Sequence, residues 1–171
     1  LERYRPAMLG VLAKLDGKEL TQAMRFILNG SVRYLIVVGA GGGQLEGVYS
    51  EAARGLMTGE IKTAQDFGKA MAKVIPNDSV FHSTFVTYRS SKSALARYLL
   101  GALERRARGQ DGAELDPNSD VAAVNLEHVL PEVPGTNWPG ISADTAEAFC
   151  ARLGNQALLD AKKNSTLGNE P

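Results

Sequence analysis

Two stretches of sequence decide the fold of the C-terminal part of this chain: residues 121–131 read VAAVNLEHVLP, and residues 153–164 read LGNQALLDAKKN. The first stretch is short, rich in valine and alanine, and ends at a proline, a pattern typical of a strand. In the second, residues 156–159 offer another short strand, and the residues after them can begin a helix. The predicted order of elements is therefore strand, strand, helix.

The first strand ends in a glutamate and a histidine, Glu127 and His128. Hydrolysis of a phosphodiester needs a base that deprotonates water and a cation that shields the phosphate and the departing oxygen. A neutral imidazole and a carboxylate that binds a hard ion supply these parts, and we expect the strand to deliver them side by side. The pair alone is a weak signal, because a lone histidine on a strand is more often structural than catalytic.

Two asparagines that follow, Asn155 and Asn164, are nine residues apart. Together with the Glu-His pair they resemble the HNH, or ββα-metal, nucleases, in which a D/E-H dipeptide on the first strand precedes two asparagines at this spacing. The resemblance implies that His128 is the general base and that the carbonyl group of Asn155 holds the imidazole in the right tautomer. It also implies that Glu127 and Asn164 bind one divalent metal, Mg²⁺ or Mn²⁺.

The motif EHVLP at 127–131, followed by LGNQALLDAKKNSTLGN at 153–169, is similar to the C-terminal nuclease domain of GmrSD/SspE-type modification-dependent restriction and antiphage proteins. The resemblance is strong over residues 124–170 and weaker over residues 44–106. It implies a metal-dependent DNA endonuclease of a restriction system in antiviral defence. Because one active centre cuts one strand, the implied activity is that of a nickase.

Two parts of that family's pattern have no counterpart in the sequence. One is the N-terminal nucleotide-dependent sensing domain with its D-G-Q-Q-R-type motif, and the other is the aromatic residue and lysine that usually follow the last asparagine. The sequence opens at Leu1 and stops at Pro171, inside the region of the motif. We therefore expect an excised fragment whose partner in the parent protein is the sensing domain.

The net charge is zero, but the charges are unevenly distributed. Residues 1–108 contain 16 basic and 9 acidic side chains, whereas residues 109–171 contain 3 basic and 10 acidic ones. The first part can bind phosphates and the second can gather cations. Chance surface patterning explains the same division, because the charge of a segment does not say which face carries it.

The strongest local concentration of positive charge lies between Arg89 and Arg108, where Glu104 alone is acidic. A helix that Ser91 can cap is predicted here. We expect it to contact the phosphate backbone of DNA with little base specificity, although a solvated helix face explains the pattern equally well. The predicted DNA-binding residues, including two lysines beside the second asparagine, are Arg89, Lys92, Arg97, Arg105, Arg106, Lys162 and Lys163.

The first hundred residues mainly predict helices. Pro6 can begin one, Gly17 punctuates it, and apolar residues recur at helical spacing until Gly30, so that two short helices are predicted. The apolar run at 32–38 fits a strand or a helix, and a glycine-rich loop follows at 39–43. A nucleotide-binding turn stays a third alternative there, although the sequence departs from G-x-G-x-x-G and a flexible connector is favoured.

Two further helices have clear start signals. Thr63 and Asp66 form a capping box, and the helix that they begin is expected to run to Ile75. Ser142 can cap another helix, which is expected to stop at Gly154.

We predict an α+β chain: a mainly helical body over residues 1–120 and an HNH-like ββα-metal element over residues 121–171, packed in one compact domain or two. The single cysteine, Cys150, excludes a disulfide framework within the chain and fits a cytoplasmic location. No apolar run approaches the ~20 residues that cross a bilayer, so we expect no membrane partner. The alternative function is a noncatalytic DNA-binding or protein-interaction module with a degenerate HNH element.

Overall fold

The computed structural model describes residues 2–39, 43–109, 123–162 and 166. The chain divides into two compact units, Leu1–Phe85 and Val86–Pro171. The described residues are mainly helical and carry one two-stranded sheet, so the predicted α+β class is confirmed. The helix of residues 93–107, which the sequence analysis assigned to the helical body, lies in the second unit and packs against both strands of the sheet.

The first unit is a helical body. Its helices in the described residues are α1 (Arg5–Lys14), α2 (Gly17–Val38), α3 (Gly43–Thr58), α4 (Ala64–Met71) and α5 (Asp78–Phe85). Helix α1 packs on α3, and α2 packs on α4 and α5. The predicted start near Pro6 is confirmed, since a proline in the first turn loses no helical hydrogen bond.

Tyr49 of α3 is the largest fully buried side chain of this core. Its hydroxyl lies 2.9 Å from the hydroxyl of Ser31 and donates to the carbonyl of Ile27 at 3.3 Å. Its ring meets that of Tyr4 edge to face, with the centroids 5.5 Å apart. Burial raises the pKa of Tyr49 above its usual value, because the charged phenolate would lose its hydration.

Helix α2 does not stop at Gly30, as the sequence led us to expect, but continues to Val38. A Cβ atom at Gly30 would lie 2.7 Å from Cδ1 of Ile75, so this glycine permits close packing instead of ending the helix. The apolar run at 32–38 is consequently helical, and the strand that a nucleotide-binding turn needs before residues 39–43 is not formed. Residues 40–42 of that loop lie outside the described residues.

Thr63 caps α4 as predicted: its hydroxyl accepts from the N–H of Asp66 at 3.1 Å and donates to Oδ2 of the same residue at 2.8 Å. The helix ends at Met71, short of the predicted Ile75. Helix α5 was not predicted. It begins just after Asn77, whose Oδ1 accepts from the N–H of Val80 at 3.0 Å and caps its first turn.

The second unit packs a helix against the sheet. Its elements in the described residues are α6 (Ser93–Ala107), β1 (Val124–His128), α7 (Ala143–Cys150) and β2 (Gln156–Asp160). Strands β1 and β2 are antiparallel, with Val124 opposite Asp160 and His128 opposite Gln156. Both strands were predicted.

The helix ends of this unit agree in part with the sequence. Ser142 caps α7 by accepting from the N–H of Thr145, as predicted, but α7 ends at Cys150, before Gly154. Helix α6 has Lys92 at its N-cap, not Ser91, and no side-chain cap bond.

The third member of the predicted ββα element falls largely outside the described residues. Ala161 and Lys162, directly after β2, are helical, and Thr166 donates its hydroxyl to the Lys162 carbonyl at 3.0 Å. Asn164 and Lys163 belong to the segment that is not described. The ββα element therefore stays a prediction.

In the part of the chain that the structure describes, no helix combines the length and apolar character needed to cross a lipid bilayer.

Candidate functional site

His128 is the last residue of β1, and its half-buried imidazole contacts the side chain opposite it on β2. The two atoms in contact are Nε2 of His128 and Nε2 of Gln156, which are 3.4 Å apart. Gln156 is 7% exposed, whereas the imidazole keeps access to solvent. A histidine in this position can contact solvent water through one part of its ring, while another part contacts Gln156.

Glu127 leaves the strand on the other face from His128, because successive side chains of a strand point to opposite faces. Its partner across the sheet is Ala157, and its side chain is half-buried. Strand geometry by itself therefore does not place the carboxylate against the imidazole. The two groups can approach a shared ligand only beyond the end of the strand, where His128 is the last paired residue.

Asn155 holds the turn that follows His128. Its Oδ1 accepts from the N–H of Leu130 at 2.8 Å, and its Nδ2 donates to the carbonyl of the same residue at 3.0 Å. Its own backbone carbonyl accepts from the N–H of Val129 at 2.8 Å. All three bonds are made by a residue that is 9% exposed, so the chain just after the histidine is firmly anchored.

These contacts differ from those that the resemblance implied for Asn155. The carbonyl groups of its side chain and of its backbone bind the turn, while the side chain that contacts the imidazole at 3.4 Å is Gln156. A catalytic role for Asn155 stays a prediction. Gln156 was not among the predicted site residues. The feature that could have identified it is its position opposite His128, and this position is known only when the register of the two strands is known.

The turn that carries Asn155 is held by a segment that precedes α6. Arg89 pairs with Arg152 in an antiparallel bridge, where the N–H of Ser90 donates to the carbonyl of Ala151 at 2.8 Å. On the other side, the N–H of Leu153 donates to the carbonyl of Tyr88 at 2.9 Å. Residues 88–90 thus bind the backbone of residues 151–153, directly before Asn155.

Arg89, predicted to bind DNA, has a structural contact. Its guanidinium donates to the carbonyls of Ala148 and Glu147 at 3.0 and 3.1 Å. These carbonyls lie in the last turn of α7, where the helix dipole favours a positive charge. Arg89 remains exposed, and its two hydrogen bonds to carbonyls of α7 explain the position of its guanidinium.

The other predicted DNA-binding residues are dispersed over the unit. Arg97 donates to the carbonyl of Val124 at 2.6 Å and thereby joins α6 to the start of β1. Lys92 is exposed at the beginning of α6, Arg106 is exposed and Arg105 half-buried near its end, and Lys162 is exposed after β2. Lys163 lies outside the described residues.

The described residues contain no group of three or more His, Cys, Asp or Glu side chains placed to hold a metal ion. A hard cation such as Mg²⁺ needs less from the protein, because it is commonly bound through one or two carboxylates together with waters and substrate phosphates. The carboxylate of Glu127 fits that requirement, and the second predicted ligand, Asn164, lies in the segment that is not described.

Three buried polar atoms of this unit have no hydrogen-bond partner among the described residues: Nε1 of Trp138, Nε of Arg152 and Oε1 of Gln156. The guanidinium of Arg152 lies over the Phe149 ring, 4.2 Å from its centroid, which offsets part of its loss of hydration. Oε1 of Gln156 belongs to the amide that contacts His128, so the unsatisfied group lies inside the candidate site.

A comparison with protein families matches residues 76–171 to the model described as GmrSD restriction endonucleases, C-terminal domain. The match covers more than half of the chain and includes every element from α5 to β2. No curated protein and no solved structure matches the chain.

Proposed function

Because the chain belongs to the GmrSD restriction endonucleases through their C-terminal domain, we propose that it is a metal-dependent HNH-type endonuclease that nicks DNA. The family supports a nuclease role in restriction, with DNA as the substrate. The observation that carries the finer proposal is the placement of His128. Its imidazole is half-exposed at the end of β1, contacted by Gln156 and followed by a turn that Asn155 holds.

In the proposed reaction His128 removes a proton from water, and the water oxygen attacks the phosphorus of one phosphodiester bond. General-base catalysis needs an imidazole that is neutral near the working pH and within hydrogen-bond reach of the water. A divalent ion, Mg²⁺ or Mn²⁺, held by Glu127 and Asn164 would neutralise charge on the phosphate and the departing oxygen. The anchored turn after His128 keeps the base from shifting as the substrate binds.

One such site cuts one strand, so the proposed activity of a single chain is nicking. A double-strand break would need two chains or two successive nicks. We further propose that the chain serves antiviral defence in the cytoplasm, joined to an N-terminal nucleotide-dependent domain that senses modified DNA.

DNA binding is proposed to occur through the phosphate backbone, with little reading of the bases. The support is charge: between Arg89 and Arg108 only Glu104 is acidic. The side chains from which we expect the phosphate contact are those predicted from the sequence, Arg89, Lys92, Arg97, Arg105, Arg106, Lys162 and Lys163.

The proposal is tested by separating cleavage from binding. Glu127→Ala and Asn164→Ala are expected to abolish nicking of supercoiled plasmid while DNA affinity in a gel-shift assay stays within about twofold. Glu132→Ala, an exposed glutamate five positions after Glu127, is the matched control and should nick normally. If all variants bind DNA and none, including the wild type, nicks it with Mg²⁺ or Mn²⁺, the noncatalytic DNA-binding module is the correct function.

A further inference from the structure

The side chain of Gln156 has two unusual properties together. It is 93% buried, being 7% exposed, yet Oε1 has no hydrogen-bond partner among the described residues. The other end of the same amide, Nε2, lies 3.4 Å from Nε2 of His128. A buried polar oxygen without a donor is costly, which makes the orientation of this amide a question for the site.

An amide group can be turned by half a rotation without changing the space that it fills, because its oxygen and nitrogen are nearly the same size. With Nε2 toward the imidazole, Gln156 donates to the lone pair of His128 Nε2, and its oxygen stays unsatisfied. With Oε1 toward the imidazole, the oxygen accepts from a protonated His128 Nε2. The second orientation supplies the donor that the buried oxygen lacks and moves the NH₂ group to the position that the oxygen leaves, so the choice between the two orientations depends on the histidine.

The two orientations differ in whether a nitrogen of the histidine has a free lone pair that can take a proton from water. A neutral imidazole has one N–H and one lone pair, and the bond made by one nitrogen decides which tautomer is present. If Gln156 donated to Nε2, the proton would be on Nδ1, and neither nitrogen could take a proton from water. If Gln156 accepts from Nε2–H, Nδ1 carries the free lone pair.

We propose that Oε1 of Gln156 accepts a hydrogen bond from Nε2–H of His128 and so fixes Nδ1 as the nitrogen that takes the proton from water. Gln156 is thus a positioning residue that acts through the histidine. This inference rests on the proposed function in one respect, that His128 is the base. The proton passes from water to Nδ1, and the Nε2–H bond to Gln156 is kept in the imidazolium that forms.

Asn155 is not available for this task, because both atoms of its side-chain amide bind Leu130. Adjacent residues thus have separate roles. Asn155 anchors the turn after the histidine, and Gln156, directly opposite His128 in the register of the sheet, orients its ring.

The tautomer can be measured without metal or substrate. The chain contains two histidines, so a ¹⁵N–¹H correlation spectrum of the imidazoles has two sets of signals, and a His128→Ala sample assigns them. The expected result for the wild type is a neutral His128 protonated at Nε2, with His82 as the internal reference. A neutral His128 protonated at Nδ1 would overturn the proposal, and the tautomer itself is measured on the wild-type protein.

Variants then test whether Gln156 selects the tautomer. Gln156→Met keeps the volume but removes the acceptor; we expect mixed tautomers and a kcat for nicking that is about 10- to 100-fold lower, with KM little changed. Gln156→Glu keeps an acceptor and should restore the Nε2–H tautomer and most of the rate. Gln65→Met, at an exposed position of α4, is the control and should match the wild type.

The outcomes separate the two proposals. If Gln156→Met and the wild type have the same His128 tautomer and the same kcat, Gln156 does not position the base, whatever the enzyme's mechanism. If His128→Ala nicks as fast as the wild type, the proposed function of His128 fails, while the tautomer measurement still decides whether the Gln156 bond exists.

Discussion

The side chain of Asn155 binds both polar backbone groups of one residue, Leu130, and its burial makes those bonds strong determinants of local structure. Replacing Asn155 with alanine would leave a N–H and a carbonyl without their partner. We expect a loss of about 1–3 kcal/mol in the free energy of unfolding of this unit. Trp138 is the only tryptophan, so its fluorescence in urea reports on the same unit.

The matched control for this prediction is Asn29→Ala, at an exposed position in α2. It should leave the tryptophan-detected midpoint in urea unchanged. Equal midpoints for Asn155→Ala and the wild type would show that the bonds to Leu130 contribute nothing to stability.

Tyr49 gives the first unit a dependence on alkaline pH. Its folded-state pKa is raised above 10.0, chiefly by burial, while the bond to Ser31 acts in the opposite direction. Above pH ~10 the unfolded chain releases this proton and the folded chain keeps it, so the unfolded state is favoured and stability falls as pH rises. The far-UV circular dichroism midpoint in urea should therefore decrease between pH 9 and pH 11.

Tyr49→Phe tests the source of that decrease. The variant should be less stable by about 1 kcal/mol at pH 8, because the hydroxyl bonds are lost. Its midpoint should also decrease less between pH 9 and pH 11 than that of the wild type. An identical decrease in both proteins would assign the alkaline effect to other groups.

At the scale of elements, glycines determine how closely α2 approaches its neighbours. A Cβ atom at Gly68 of α4 would lie 2.8 Å from Cζ of the Phe26 ring on α2. Gly68→Ala should therefore destabilise the first unit by about 1–3 kcal/mol, more than the roughly 1 kcal/mol that alanine adds to helix propensity. Urea unfolding followed by circular dichroism measures the difference.

Gly47→Ala in α3 is the control, because a Cβ atom there meets nothing within 4 Å. This variant should be as stable as the wild type or more stable. Combining Gly68→Ala with Phe26→Leu should recover stability relative to the two separate losses, since the smaller side chain removes the clash. Additive losses would contradict a direct contact between these two positions.

The difference between local signals and tertiary contacts explains which helix boundaries the sequence could predict. The start signals at Thr63 and Ser142 act within one turn of helix, so they are legible in the sequence and are found in the structure. Gly30 has the local signature of a helix end, but its glycine serves packing against Ile75, which is 45 positions away. Helix boundaries set by tertiary contacts of this kind cannot be read from local patterns.

In the candidate site, too, local features could be predicted from the sequence and tertiary contacts could not. The strand that ends in His128 and the strand after Asn155 could be predicted, because their residue types and limits are local. The contact between His128 and Gln156 depends on the register of two strands separated by α7. The positions of Asn164 and Lys163 lie outside the described residues, so their predicted roles are still to be tested.

For the whole molecule, a net charge of zero conceals a local excess of positive charge between Arg89 and Arg108. Binding to DNA phosphates through such a cluster releases counterions, so affinity should fall steeply with salt. Lys92→Ala is expected to weaken binding to all sequences alike and to reduce the slope of log K against log salt by about 1. Fluorescence anisotropy with labelled duplexes at several salt concentrations measures both effects.

Lys62→Ala, an exposed lysine of the first unit, is the control for charge alone. If it reduces the slope as much as Lys92→Ala, the binding surface is not confined to the region around α6. Affinity that does not change with salt would contradict phosphate binding altogether.

If His128 activates water in a metal-dependent nuclease, conversion of supercoiled plasmid to open circle requires both the imidazole and the metal. Wild type with Mg²⁺ or Mn²⁺, wild type with EDTA and His128→Ala with metal are compared at equal concentration. We predict open circles from the wild type with metal and a rate at least about 100-fold lower in the other two samples. Equal nicking by His128→Ala and the wild type would show that His128 is not the base.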